Sequence, residues 1–168
     1  SDGLEQWRTS ADHAADIAAV ITHLRRYSKG PVFLVGTSRG TISAAGVASN
    51  LAPGTVAGVV LTATVTRTNR GGDKQRIEDA KLDNIRVPVL LAHHEDDACD
   101  VTPFSDLPAL ARKFVNAPSA RIKGYTGGGN YRGSECGAIS AHGFRDIERQ
   151  VVDDLAQWIK TVAAGGKP

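Results

Sequence analysis

The apolar positions of this chain fall into two kinds of segment, short continuous runs and longer stretches at helical spacing, and the two alternate along the sequence. Ile17, Val20, Ile21 and Leu24 recur at helical intervals behind Ser10, a residue suited to cap a helix, and basic Arg25 and Arg26 close the segment before Ser28-Lys29-Gly30. Pro31 to Val35 is the first run expected to form a strand, and Thr55 to Thr64, mostly Val, Leu and Thr, is the second. Val87 to Ala92 is the third, with Pro88 near its start, where a missing donor is tolerated. Ala120 to Tyr125 alternates as a strand close to a sheet edge does, and makes the fourth.

Helices are expected between the strands. Thr41 to Ala48 is a run of small residues able to pack close to a sheet, and it stops around Asn50 to Gly54. The polar stretch Arg67 to Asn84, broken by Gly71-Gly72, has room for a short helix around Ile77 to Leu82. Ser105-Asp106-Leu107-Pro108 opens a helix with Leu110, Phe114 and Val115 on one side. The last helix, Arg145 to Ala163, places Ile147, Val151, Leu155, Trp158 and Ile159 on one face. This alternation predicts an α/β fold with a doubly wound, mostly parallel sheet. The chain shows no internal repeat, and 168 residues are the length of one domain, so residues 1–168 are expected to form a single domain.

Composition narrows the function classes. The apolar fraction of 41% and charged fraction of 23% are ordinary for a globular protein. A net charge of +2, spread along the chain, gives no footprint for nucleic acid. No apolar run approaches the roughly 18 to 20 residues that span a bilayer. Cys99 and Cys136 are too few for a disulfide scaffold and too far apart for a CxxC motif.

Candidate chemistry centres on Gly36-Thr37-Ser38-Arg39-Gly40, directly after Val32-Phe33-Leu34-Val35. Strand, sharp turn and helix start around a serine make a nucleophile elbow, in which a Cβ at Gly36 or Gly40 is expected to collide with neighbouring backbone. The plainer reading is a βα turn whose serine caps the helix. A nucleophilic serine needs a base, and the base needs a carboxylate. His93-His94-Glu95-Asp96-Asp97 follows the third strand, and His142 stands at the end of a glycine-rich loop, Thr126 to Gly143. Adjacent residues at a strand end point in opposite directions, so the His93 to Asp97 cluster is not expected to converge on a metal. His13 and His23 fit a solvated helix face. Gly127-Gly128-Gly129 lacks the Lys-Ser/Thr of a phosphate loop and reads as flexible, so no cofactor is expected.

Taken together, the Ser38 elbow, the strand Val87 to His93 with an acid soon after it, Val101 and Pro103, and Ala141-His142-Gly143-Phe144 before the last helix resemble the C-terminal part of an α/β-hydrolase-fold serine hydrolase. The resemblance implies hydrolysis of a carboxylic ester, with Ser38 as nucleophile, His142 as general base and then acid, and Asp97, four residues after His93, as the carboxylate. Asp96 and Asp100 compete for that last role. The Arg39 N–H would give one oxyanion donor, a role independent of its side chain. His94 departs from the family's usual glycine, which implies a more polar or crowded acid loop, and Arg39 departs from the His, Gln or Met of many lipases. The family's sheet has more strands than the four counted here, so the N-terminal strands and the first oxyanion donor are expected from an N-terminal half or a second chain, with the elbow strand at an apolar edge.

Two further expectations follow from the resemblance. About two dozen residues separate the second and third strands, too few for an inserted cap domain, so the site should be open to small or accessible esters. If the acid loop and the histidine loop adjoin, Cys99 and Cys136 come close enough to form a disulfide, which implies an oxidising compartment such as a periplasm or the extracellular space. Two buried thiols are the alternative. An amidase or peptidase using the same triad, and an inactive interaction module, are the competing functions.

Overall fold

The computed structural model describes residues 6–69 and 74–166. The Gly71-Gly72 break lies outside the described residues. In chain order the elements are α1 (Ala11–Leu24), β1 (Phe33–Thr37), α2 (Arg39–Asn50), β2 (Gly58–Thr62), β3 (Val89–His94), α3 (Leu107–Ala111), β4 (Ala120–Tyr125) and α4 (Glu148–Ala163). The four strands form one sheet in the order β1-β2-β3-β4, with every pairing parallel. The α/β class and the parallel sheet are as the alternation predicts.

Both faces of the sheet are covered, and the period-2 alternation of its central strands shows how. Val59, Leu61, Val89 and Leu91 pack on one face against Ala44, Ala45 and Ala48 of α2 and against Leu107, Leu110 and Phe114. Val60, Leu90 and Ala92 point the other way, toward Tyr125, Phe144 and Val151, with Leu155, Trp158 and Ile159 of α4 closing that side. Every residue of β2 and β3 is buried, which explains why those strands read as unbroken apolar runs rather than alternating ones.

Several boundaries move for identifiable reasons. β1 starts two residues later than expected because Pro31 has no N–H to give, and Val32 contributes only its carbonyl, to Ala57 N. β2 is trimmed at its start because the Thr55 N–H and hydroxyl both turn back to the Ala52 carbonyl, and at its end because Ala63 takes φ 46°. β3 runs on to His94, so both histidines belong to the strand. The β2–β3 connection carries two 3-10 turns, Ile77–Asp79 and Leu82–Asn84, in place of one helix. α3 ends at Ala111, so Phe114 is buried while Val115 is 67% exposed and faces away from the core. α4 starts at Glu148 because Phe144 and Asp146, at φ 60° and 67°, cannot belong to a right-handed helix.

Burial falls off toward β1. That strand pairs only with β2 among the described residues, Val35 is 56% exposed, and α1 leaves Val20 and Leu24 about half exposed. No described helix is long and apolar enough to cross a membrane. Because Leu91 is fully buried at the centre of the sheet, Leu91→Ala is expected to lower unfolding free energy by about 2 to 5 kcal/mol in denaturant titration.

Candidate active site

Ser38 occupies the turn between β1 and α2 with φ 53° and ψ −123°, a conformation that L-residues rarely adopt. Backbone bonds on both sides hold it there. Its N–H donates to the Thr62 carbonyl across the sheet, and its own carbonyl accepts from the Thr41 N–H and, at 2.6 Å, from the Thr41 hydroxyl. Thr41 is fully buried and also accepts from Val65 N, so one side chain ties the elbow to the segment leaving β2. The plainer capping reading finds no support, since the Ser38 side chain makes no capping bond to the helix.

The two elbow glycines differ. A Cβ at Gly36 would stand 2.6 Å from the Gly40 carbonyl carbon and 2.9 Å from Thr41 N, so the turn closes only over a hydrogen. A Cβ at Gly40 would meet nothing within 4 Å, which corrects the expectation that both positions are sterically barred. Gly36→Ala is therefore expected to cost several kcal/mol of stability, whereas Gly40→Ala, in the first turn of α2, is neutral or stabilising by up to about 1 kcal/mol. Urea unfolding of the two variants checks this; equal losses would mean that the elbow is not closed by Gly36.

The acid and histidine loops meet at the same C-terminal rim of the sheet. Asp97 Oδ2 accepts from His142 Nδ1 at 3.0 Å and from the Thr102 hydroxyl at 2.8 Å, while Asp97 Oδ1 accepts from Cys99 N at 3.0 Å. Both partners are almost wholly buried, with side chains 1% exposed for Asp97 and 5% for His142. A carboxylate accepts only, so the His142 proton sits on Nδ1 and Nε2 keeps its lone pair. Nε2 makes no hydrogen bond among the described residues, yet it is not sealed from solvent. Asp96 and Asp100 are both exposed, and neither bonds to His142. Ser38 is half-buried and Arg39 exposed at the head of α2; no hydrogen bond among the described residues joins Ser38 Oγ to His142.

Three devices fix the loops to one another. Cys99 and Cys136 form a disulfide whose Cα atoms are 4.7 Å apart, linking the acid loop to the loop before His142. By closing a chain segment such a bond contributes about 2 to 4 kcal/mol. His94 takes its unusual place because its two ring nitrogens serve different segments: Nδ1 accepts from Asp96 N, and Nε2 donates to the Gly127 carbonyl at 2.8 Å. The Tyr131 hydroxyl reinforces that carbonyl, so the start of the glycine loop is anchored rather than loose, and Gly128 lies against the Arg145 carbonyl. Ser140 caps the short turn that presents His142, accepting from its N–H, while its single hydroxyl proton is shared between the Glu135 and Gly137 carbonyls.

His93 is the residue whose importance the sequence understated. It is fully buried and accepts from Thr64 N through Nε2, so its proton lies on Nδ1, which has no partner. Burial pushes its pKa down to about 4, against a smaller upward pull from Asp97, with His142 adding to the lowering. His93 and His94 thus serve separate networks and do not converge on an ion. Among the described residues, the one group with convergent ligand atoms is Asp97, Cys99 and His142, within 4.8 Å of each other, and there the sulfur is committed to the disulfide.

A histidine neutral in the fold at pH 5 but protonated when unfolded makes stability fall as pH drops from about 6.5 to about 4. The loss reaches roughly 3 kcal/mol. His93→Gln, which keeps an acceptor for Thr64 N and does not titrate, should flatten the unfolding profile over that window; an unchanged slope would assign the acid sensitivity to other groups.

No protein-family model matches this sequence, and no curated protein matches it. Solved structures do. An esterase from Exiguobacterium antarcticum superposes with a TM-score of 0.61 at 15% identity over 88% of this chain and 72% of its own. An esterase from a Rhodococcus species gives 0.58 at 16% identity, covering 89% and 72%. An α/β-hydrolase enzyme from the metagenome of Mar Chica lagoon sediments in Morocco gives 0.51 at 17% identity, covering 88% and 69%. Strand order, elbow and superposition together define the α/β-hydrolase fold, and the chain adopts it.

Proposed function

We propose that this chain is a serine hydrolase that cleaves a carboxylic ester through an acyl-enzyme. The observation that carries the reading is the buried Asp97 to His142 contact at 3.0 Å, on the same sheet rim as a serine held at φ 53°. Ser38 Oγ attacks the ester carbonyl while His142 Nε2 takes its proton, and the oxyanion accepts a hydrogen bond from the Arg39 backbone N–H. Collapse expels the alcohol, protonated by His142, and water activated by the same nitrogen then cleaves the acyl group from Ser38. Asp97 remains ionised, keeps the proton on Nδ1 and stabilises the imidazolium. Ser38 Oγ and His142 Nε2 come within hydrogen-bonding reach when substrate fills the site, since catalytic hydrogen bonds often tighten only in the substrate complex.

Residues 1–168 are taken to act as one domain with no inserted cap, a reading supported by the shortness of the β2–β3 connection, whose described residues form two 3-10 turns. The outer edge of β1 is where a further strand, from an N-terminal half or a second chain, would pair and bring the other oxyanion donor. The disulfide favours an oxidising compartment, periplasmic or extracellular.

A fluorophosphonate probe tests the nucleophile: labelling of the protein is expected, with complete loss in Ser38→Ala. Asp97→Asn should label slowly and hydrolyse p-nitrophenyl esters roughly 10³ to 10⁴ times more slowly, because the amide selects the wrong histidine tautomer. Full labelling of Ser38→Ala would remove Ser38 from the mechanism, and a wild-type protein that neither labels nor hydrolyses would make the chain an inactive relative.

A further inference from the structure

The disulfide stands beside the Asp97 and His142 pair, and its two ends are unequal. Cys99 is 1% exposed and packed among Ile42, Val65 and Val101, whereas Cys136 lies exposed on the loop before His142. A reductant therefore reaches the bond from the Cys136 side. Once it is broken, Cys136 is held only by its loop, while Cys99 stays in the core with its backbone N–H on Asp97 Oδ1. Its sulfur then lies beside a carboxylate and an imidazole nitrogen, all three ligand atoms within 4.8 Å and all three residues buried.

The geometry points to a latent zinc site made of Cys99 Sγ, Asp97 and His142 Nδ1, closed in the oxidised protein by the disulfide and opened by its reduction. Thiolate, imidazole and carboxylate are the donor set that zinc and cadmium take, with one position left for the Thr102 hydroxyl or water. Two equivalents of an external thiol, or one of a phosphine with water, reduce the disulfide to two thiols and are themselves oxidised to a disulfide or a phosphine oxide. The metal ion then binds as Cys99 loses its S–H proton to solvent, while the His142 proton moves from Nδ1 to Nε2. That tautomer shift is the consequence for function: Nε2 becomes a donor and can no longer take the proton of Ser38. A metal here would silence the site, and the disulfide protects it. This last step rests on the hydrolase reading, whereas the metal site does not.

Cys136→Ser exposes the site without any reductant, because it leaves Cys99 as a thiol. Chelator-treated Cys136→Ser is titrated with Cd²⁺ and followed by thiolate-to-cadmium absorption and by equilibrium dialysis. One equivalent with that absorption is expected, at an affinity at least tenfold above those of the oxidised wild type, Cys99→Ser/Cys136→Ser and Cys136→Ser/His142→Ala. Wild type reduced with a phosphine and desalted without oxygen should match Cys136→Ser, and supplies the answer if that variant misfolds by circular dichroism. Absence of the thiolate absorption in the reduced forms, or equal affinity in the double cysteine variant, overturns the site. In parallel, Zn²⁺ should suppress p-nitrophenyl ester hydrolysis by Cys136→Ser and not by the oxidised protein, with recovery on adding EDTA. Suppression without metal uptake at Cys99 would also count against the proposal. If no form hydrolyses the ester, the hydrolase reading fails while the cadmium result still decides the metal site.

Discussion

A carboxylate can be buried only if its lone pairs are satisfied, and the hydrogen bond from His142 to Asp97 is where that constraint meets the architecture of the chain. Asp97 has three donors: His142 Nδ1, the Thr102 hydroxyl and Cys99 N. Two of them come from its own loop. The third arrives from a residue far along the chain, after β4 and a long loop, so removing it would leave a buried charge short of a partner at a cost of several kcal/mol. The loops must therefore be held at a fixed separation, and the disulfide, the His94 to Gly127 bond and the Ser140 cap all act on that one distance. Packing reinforces them, because the ring of Phe144, two residues after His142, meets Tyr125 at the end of β4 edge to face at 5.7 Å.

Strain gathers on the same rim. Ser38, Ala63 and Phe144 all have positive φ, at 53°, 46° and 60°, and they follow β1, β2 and the His142 turn. Such conformations cost of order 1 to 3 kcal/mol each and persist where surrounding bonds over-determine them. For Ser38 those bonds run through Thr41 and Thr62, both buried, so the cost is carried by the sheet and the first turn of α2. Turns at the other end of the strands carry no such cluster. The placement of strain thus agrees with the placement of the acid and histidine loops, although the two observations are independent.

Much of this was legible in the residues. Buried β2 and β3 show as β-branched runs, the Ser10 cap marks α1, and the strand, serine and glycine sequence marks the elbow, because each of these follows from local sterics and burial. What was not legible depends on partners distant in sequence. Asp97 could not be separated from Asp96 and Asp100 by spacing, since only the fold shows which of them turns inward. His93 looked like a marker for the acid and is instead a buried acceptor for Thr64 N, a contact across two strands. Gly40 looked like a steric necessity because the motif names it, yet only Gly36 faces backbone. The late starts of β1 and α4 escaped for another reason: Pro31 reads as compatible with a strand, and the left-handed turns at Phe144 and Asp146 involve residues that carry no glycine signal.

The sheet is asymmetric in a way that bears on the elbow directly. Its central strands are sealed on both faces, while β1, which ends at the serine, exposes Val35 and is flanked by two shallow apolar hollows. One is bounded by Thr37, Thr62 and Phe144, the other by Ile17, Leu34 and Val47, so the open ground lies on both sides of a single strand. An edge strand with unpaired backbone groups and apolar neighbours is a surface that favours pairing. Whatever pairs there would press on the strand that holds Ser38 rather than on the acid or histidine loops, which are anchored through β3, β4 and the disulfide. Asp97 and His142 are thus built into the sealed side of the fold, and Ser38 sits on the side that a neighbour can still adjust.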